Sequence, residues 1–269
     1  MNLADIKTLL IDGDGVLWRG DEPMPGLLDF FAALQARGIE WALLTNNNTR
    51  TVDTYIKKMA GFGIEIGKER IFTSSTVTAA YLQEKYGYGA AVHAVGMSGL
   101  LDTLAEAGFL VSTGEETPDH EVVAVAAGMD RGLNVDKVKV AMRLILAGAE
   151  FVATNTDGSF PAPGGLSPGT GMVIGALQAT SGIAPVVMGK PERAIYDVSM
   201  QAMGADPRTT AMLGDRLNTD ILGAQRVGIG TIGVLSGVMT REELERSEIG
   251  VDVLFESIAE MSKALGENN

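Results

Sequence analysis

The chain contains no cysteine. Disulfides and thiolate metal sites are thereby excluded, which fits a reducing compartment. Basic residues are scarce as well: 21 Lys and Arg stand against 34 Asp and Glu, for a formal net charge of −13. An acidic surface disfavours nucleic acid and anionic membranes as partners, although a locally positive pocket still admits a small anionic substrate. No apolar run approaches the roughly 20 residues that a membrane span needs. The opening MNLADIKTLL lacks a basic stretch followed by a long apolar segment, so no signal peptide is expected. No short fixed-period repeat and no low-complexity tract interrupts the chain. These absences lead us to expect a cytoplasmic protein. What is present is 269 residues, 46% of them hydrophobic, enough for one large domain or two modest ones.

The apolar residues alternate between strand-like runs and helical spacing. Thr8–Ile11 reads as a buried strand, and Pro25–Arg37 as a helix closed by Gly38. Glu40–Thr45 predicts a second strand, Thr51–Gly61 a helix, Ile71–Thr73 a strand, and Ser75–Glu84 a helix with Ser74 or Ser75 as its N-cap. The pattern restarts with strands over Ala91–Gly96, Glu121–Ala127 and Glu150–Thr154, separated by helices over Leu100–Ala107 and Val135–Leu146. A Gly/Pro-rich loop spans Asp157–Gly171, and a helix spans Met172–Thr180. Strands over Val186–Met188, Thr210–Leu213, Gly230–Leu235 and Val253–Phe255 follow, with helices over Ile195–Met203, Asp220–Val227 and Ser257–Leu265. Strand–helix alternation of this kind predicts an α/β fold, a doubly wound parallel sheet covered by helices on both faces.

Polar residues gather where these strands end. Asp12 and Asp14 follow the first strand in Asp12-Gly13-Asp14-Gly15, with glycines free to re-aim the carboxylates. A carboxylate can attack phosphorus, and a second one nearby can serve as general acid and then base. The same residues also fit a turn with two solvated acids. Thr45, Asn46 and Asn47 end the second strand, where hydroxyl, amide and backbone N–H groups can hold a phosphoryl oxygen. An Asn-rich turn capping the next helix fits them equally. Lys190, in Gly189-Lys190-Pro191, reads as a point charge for a phosphate or as a surface lysine, with Pro191 in the first turn of a helix. Asp215 follows Ala211–Leu213, and Asp220 lies five residues on. Asp12 and Asp215 suit a hard cation such as Mg²⁺, while Asp220 reads as a contributor to that site or as a helix N-cap.

Taken jointly, Asp12-Gly13-Asp14-Gly15, Thr45-Asn46, Lys190 and Gly214-Asp215…Asp220 resemble the ordered motifs of the haloacid dehalogenase-like hydrolase superfamily, across nearly the whole chain. Leu43-Leu44-Thr45-Asn46-Asn47, Thr154-Asn155-Thr156-Asp157, Pro168-Gly169-Thr170-Gly171, Gly189-Lys190-Pro191 and Gly214–Asp220 are similar to its NagD-like branch. That branch includes p-nitrophenyl phosphatases, nucleotide monophosphatases, and phosphoglycolate and pyridoxal phosphate phosphatases, so the resemblance leaves the ester open among sugar, nucleotide, phosphoglycolate and pyridoxal phosphates. That resemblance implies a Rossmann-like core over 1–79 and 186–269, with a large α/β cap inserted over 80–185. Gly13 stands where bulkier residues are common in the branch, which implies a slightly looser loop around Asp12. Gly128-Met129-Asp130-Arg131 resembles a cap motif of the branch, but Gly132–Val135 lacks the aromatic residue that usually follows.

The resemblance also implies a chemistry: Mg²⁺-dependent hydrolysis of a small phosphate monoester through an aspartyl phosphate on Asp12. Asp14 would be the acid and base. Asp12, the Asp14 carbonyl and Asp215 would hold the ion. Thr45, Asn46, Asn47 and Lys190 would cradle the phosphoryl group, with Asp220 orienting Lys190 or a metal-bound water. Asn155, Asp157 and Phe160, in the loop from Thr154 to Gly171, are candidates for contacting the leaving group; Asn155 and Asp157 equally fit a structural turn. The expected partner is a small phosphorylated metabolite, with no nucleic acid and no membrane, and cap-mediated homodimers occur in the branch. Rival readings are a phosphomutase or dehalogenase on the same core, or a non-enzymatic phospho-receiver module. A dehalogenase needs neither Asp14 nor a divalent cation, and receivers are usually about half this length.

Overall fold

The computed structural model describes residues 2–162 and 164–267. The chain forms two compact units. The first comprises Met1–Thr45, Val52–Phe72 and Lys190–Asn269, and the second Asn46–Thr51 with Thr73–Gly189. The second unit thus includes more chain than the 80–185 segment anticipated, and it takes in the residues just after the second strand.

Thr8–Ile11 lies inside a six-stranded sheet. The order is Val253–Phe255, Gly230–Val234, Thr210–Gly214, Thr8–Ile11, Glu40–Thr45, Ile71–Thr73. All four residues of Thr8–Ile11 are buried, as an apolar strand covered on both faces requires. It pairs in parallel with Thr210–Gly214 on one side and Glu40–Thr45 on the other. The helix Leu27–Ala36 turns Leu27, Phe30, Phe31 and Leu34 into the core, and Gly38 ends it with φ 62°, a left-handed conformation that costs glycine little. The core there joins Leu9, Ile11, Leu43, Leu213 and Ile232 with Trp18 and Tyr55. Strand order reverses direction between Thr8–Ile11 and Thr210–Gly214, and the crevice beyond the carboxyl ends of such a strand pair is the usual ligand site of an open α/β sheet. Asp12 and Asp215 are the residues that immediately follow these two strands.

The second unit has its own five-stranded parallel sheet, ordered Val186–Val187, Glu150–Ala153, Ala124–Ala127, Ala91–Val95, Leu110–Thr113. Val125, Ala127, Ile145, Phe151, Val173 and Leu177 belong to its core. The α/β, parallel-sheet expectation is met in both units.

Several local expectations change. The Gly/Pro-rich segment is not simply a loop: Ser159–Ala162 pairs antiparallel with Gly165–Pro168. The helix Ser74–Tyr86 is capped by Thr73, not Ser74 or Ser75; the Thr73 side chain accepts from Thr76 N and the Thr76 side chain bonds back. Pro191 precedes its helix, which begins at Arg193 behind the N-cap Glu192. The helix predicted from Asp220 is split into a wide turn of π type over Leu217–Ile221 and an α-helix over Leu222–Val227, so Asp220 is no N-cap. Such wide turns are frequent at functional sites. Leu110–Thr113 and the antiparallel pair Trp18–Arg19 with Glu22–Pro23 were not anticipated.

Candidate active site

In the first unit, three strand ends bring four charged side chains together. Lys190 Nζ lies 2.5 Å from Asp12 Oδ1 and 2.7 Å from Asp220 Oδ1, and it donates to Leu44 O at 3.2 Å. Leu44 precedes Thr45, the buried last residue of its strand. Lysine 190 is therefore no surface lysine: it is buried, as are Asp12, Asp215 and Asp220. One carboxylate oxygen from each of Asp12, Asp215 and Asp220 lies within 4.8 Å of the others.

Backbone groups fix this geometry. Asp220 Oδ2 accepts from the N–H groups of Asp215 and Arg216, at 3.2 and 3.1 Å, so the wide turn folds Asp220 back onto the strand end. A Cβ on Gly214 would lie 2.2 Å from Asp220 Cβ, which explains glycine there. Tyr196, fully buried, donates to Thr219 O and Asp220 O at 3.2 and 3.1 Å, engaging carbonyls of the wide turn. Asp215 is gripped by the loop after Gly230–Val234: Val238 N donates to its Oδ2 at 2.8 Å, and Met239 N to its backbone oxygen at 2.7 Å. Neither Tyr196 nor the Gly237-Val238 loop was anticipated.

The electrostatics follow from burial. Desolvation pushes the Asp12 pKa well above the ordinary carboxylate value; Lys190 opposes this, and Asp220 and Asp215 reinforce it. Burial and then the charge of Asp220 push Asp215 up to about 7, against the Val238 N–H, Arg216 and Lys190. Lys190 is shifted upward: burial favours its neutral form, but Asp12 and Asp220 together outweigh that.

Three carboxylates around one ammonium leave an excess negative charge that a divalent cation would balance. Asp215 Oδ1 is buried and has no hydrogen-bond partner among the described residues. All the donors are oxygens, the set that a hard ion such as Mg²⁺ prefers. The residues present fit such an ion.

Asp14 is exposed, and its Oδ1 accepts from the indole Nε1 of buried Trp18 at 2.9 Å. Gly13 is not a point of looseness: a Cβ there would lie 2.3 Å from Trp18 Cζ2, so the indole occupies the space a bulkier residue would need.

The remaining candidates belong to the second unit. Asn46 O accepts from Ser74 Oγ, Asn155 Nδ2 and Asn48 Nδ2, at 2.9, 2.6 and 3.4 Å. Asn46 Nδ2 lies 3.2 Å from an oxygen of Asp157. Asn155 Oδ1 accepts from Asp157 N at 3.1 Å, a side-chain turn that shapes this loop. Asn47 Oδ1 accepts from Thr49 N and Oγ1, at 3.0 and 2.7 Å. Phe160 lies in the strand Ser159–Ala162. Asn48, also not anticipated, is buried; it receives Met129 N at 2.7 Å and donates to Thr170 Oγ1 at 3.0 Å. Asp130 is buried beside Lys137, 2.8 Å away, and accepts from Gly132 N.

The chain is similar to known proteins over nearly its whole length. Residues 9–110 match the family model for haloacid dehalogenase-like hydrolases, and residues 187–261 a second, HAD-hydrolase-like model. The chain is 34% identical over 265 residues to an acid sugar phosphatase of Staphylococcus aureus, covering 97% of this chain and 100% of that one. It resembles the structure of a p-nitrophenyl phosphatase from Archaeoglobus fulgidus with a TM-score of 0.90 and 32% identity, over 97% and 99% of the two chains. NagD from E. coli K-12 is similar with a TM-score of 0.84 and 29% identity, over 95% and 98%.

Proposed function

Because the chain belongs to the haloacid dehalogenase-like hydrolases, and to their NagD-like branch, we propose that it is a Mg²⁺-dependent phosphatase that hydrolyses a small sugar phosphate through an aspartyl phosphate on Asp12. The observation that carries this reading is the buried cluster of Asp12, Asp215 and Asp220 with Lys190 at neighbouring strand ends. The sugar phosphate class is supported by the 34% identity to the acid sugar phosphatase, and p-nitrophenyl phosphate is the matching artificial substrate.

In this reading, an Asp12 oxygen attacks phosphorus in line. The bond from phosphorus to the leaving oxygen breaks, and that oxygen takes the proton of Asp14. Asp14, now a carboxylate, removes a proton from water as the water oxygen attacks the aspartyl phosphate. The bond between phosphorus and Asp12 breaks, inorganic phosphate leaves, and Asp14 holds its proton again. Lys190 keeps Asp12 oriented and balances charge gathered there. Thr45, with Asn46 and Asn47 after it, contributes to the phosphoryl cradle, while Asn155 and Asp157 remain candidates for reading the leaving group. Asp12, Asp215 and the Asp14 carbonyl would hold Mg²⁺, with Asp220 fixing Lys190. When bound, the ion offsets the repulsion between an anionic nucleophile and an anionic ester.

The test is hydrolysis of p-nitrophenyl phosphate and a panel of sugar phosphates with Mg²⁺ and with excess EDTA. Phosphate release that EDTA abolishes and Mg²⁺ restores is the expected result. Release undiminished by EDTA, or transfer of the phosphoryl group to a second sugar instead of water, would overturn it.

A further inference from the structure

We propose that Trp18 is a positioning residue for the acid–base carboxyl of Asp14, and that its indole N–H makes the enzyme competent on esters with poor leaving groups. This inference rests on the phosphatase reading and on Asp14 as its general acid. Asp14 is exposed on the loop after Thr8–Ile11, where an aspartate would otherwise sample several rotamers. Its Oδ1 instead accepts from Trp18 Nε1 at 2.9 Å.

The donor itself is held still. Trp18 is buried, and its ring stacks on Tyr55 and meets Phe62, with centroid separations of 6.1 and 6.4 Å. Lys58 Nζ lies 4.7 Å from its ring centroid. The main chain closes the same loop: Gly15 N donates to Trp18 O at 2.8 Å, and Trp18 N to Gly13 O at 3.2 Å. Gly13 admits the indole by leaving vacant the place of a Cβ, which would stand 2.3 Å from Cζ2 and 2.7 Å from Cη2.

The chemistry of the donor adds direction. An indole N–H donates only, so Oδ1 of Asp14 acts as an acceptor whether the carboxyl is charged or neutral. The transferable proton is thereby assigned to Oδ2. In the first step that proton passes to the leaving oxygen as its bond to phosphorus breaks, and in the second Oδ2 receives a proton from the attacking water. Acid assistance matters most when the departing alkoxide is strongly basic and little when it is p-nitrophenolate. A positioning role therefore predicts a loss graded by leaving group, whereas a role in packing alone predicts the same loss for every substrate.

The experiment measures kcat/KM, which reports the step that expels the leaving group, for p-nitrophenyl phosphate, phenyl phosphate and glucose 6-phosphate. The proteins are wild type, Trp18→Phe, Asp14→Asn, and a protein carrying 3-benzothienylalanine at position 18, an isostere that lacks only the N–H. Phe62→Leu disturbs the same ring's packing without touching its N–H. For both changes at position 18, we expect a fall of less than about threefold on p-nitrophenyl phosphate that grows to about 10–100-fold on glucose 6-phosphate. Asp14→Asn should show the same gradient more steeply, and Phe62→Leu a uniform effect. The isostere decides the matter should Trp18→Phe not fold. Equal losses across the series at position 18, or none, would overturn the proposal. A wild-type protein that turns over no ester, or an Asp14→Asn variant without a gradient, would sink the underlying reading and this inference with it. Independently of turnover, Asp14→Ala should move the Trp18 indole N–H resonance in a ¹⁵N–¹H spectrum; an unmoved resonance would contradict the bond.

Discussion

The two units of this chain share a plan and bury different chemistry. Each is a parallel sheet with helices. In the first, the buried polar groups beyond the strand ends include charged ones: Asp12, Lys190, Asp215 and Asp220. In the second they are mostly amides and hydroxyls, Asn46, Asn48, Thr154, Asn155 and Thr170, and the buried carboxylate Asp130 is matched by Lys137. Burying charge costs much more than burying a satisfied amide, and an ion pair seldom repays the cost in stability. A fold that accepts that cost at one sheet edge, and uses mostly neutral networks in its other unit, is what the proposal that these charges serve a reaction would require. Neutral networks instead set the shape of a loop: Asn46 O and the Asn48 side chain tie the Asn46–Thr51 segment to Ser74, Met129, Asn155 and Thr170.

Predictions from this contrast descend in size. Asp12→Asn should lower kcat at least about 10⁴-fold, as loss of a nucleophile does elsewhere, in a protein that retains its circular dichroism; turnover near wild type would erase the distinction between the units. Lys190→Met should abolish most activity and also cost about 3–5 kcal/mol of stability in denaturant titrations, because it leaves Asp12 and Asp220 buried without their cation. Adding Asp220→Asn to that variant should return stability without returning activity. Recovery of both would mean that the charges serve the fold alone.

The second unit offers a pH test. His93 is fully buried, its Nδ1 lies 3.1 Å from Ser112 Oγ, and its Nε2 has no hydrogen-bond partner among the described residues. Burial lowers its pKa to about 4 from an ordinary 6.5. The unfolded chain therefore binds more protons between those values, and stability falls as pH drops through that window. The contribution of neutral His93 is fully present above pH 6.5 and is lost by up to about 3 kcal/mol on approaching pH 4. Amide exchange of the Ala91–Val95 strand should follow this slope, and His93→Gln should flatten it. The smallest effect belongs to Asn48→Ala, which leaves Met129 N without its acceptor and should cost about 1–3 kcal/mol, read as faster exchange at Met129 and Thr170; unchanged exchange there would remove the neutral network from the account.

Much of the charged cluster was legible because its signals are local. An acid at the end of an apolar run, directly after Ile11 or one glycine beyond Leu213, marks Asp12 and Asp215 without any knowledge of pairing. Lys190 and Asp220 were legible as partners only through the family resemblance, as one of two readings, since their 2.7 Å contact depends on a wide turn that helical spacing does not predict. Trp18 was hidden by its own apolar character: its burial is readable from sequence, the direction of its N–H is not. Gly13 read as slack because the ring that fills its space arrives from five residues away. The antiparallel pair inside the Gly/Pro-rich segment escaped notice because turn-forming residues mask strand pairing. That Asn46–Thr51 belongs to the second unit, and that Asn48 anchors it there, escaped because their partners lie far along the chain.

In the proposed reaction Asp12 carries the phosphoryl group. Acid quenching during turnover of p-nitrophenyl phosphate, followed by trypsin and fragmentation of the Thr8–Arg19 peptide, locates that group directly. The expected result is a phosphorylated peptide with the modification on Asp12, absent from Asp12→Asn. A phosphoryl group on Asp14 or outside this peptide, or its absence from wild type during turnover, would contradict it.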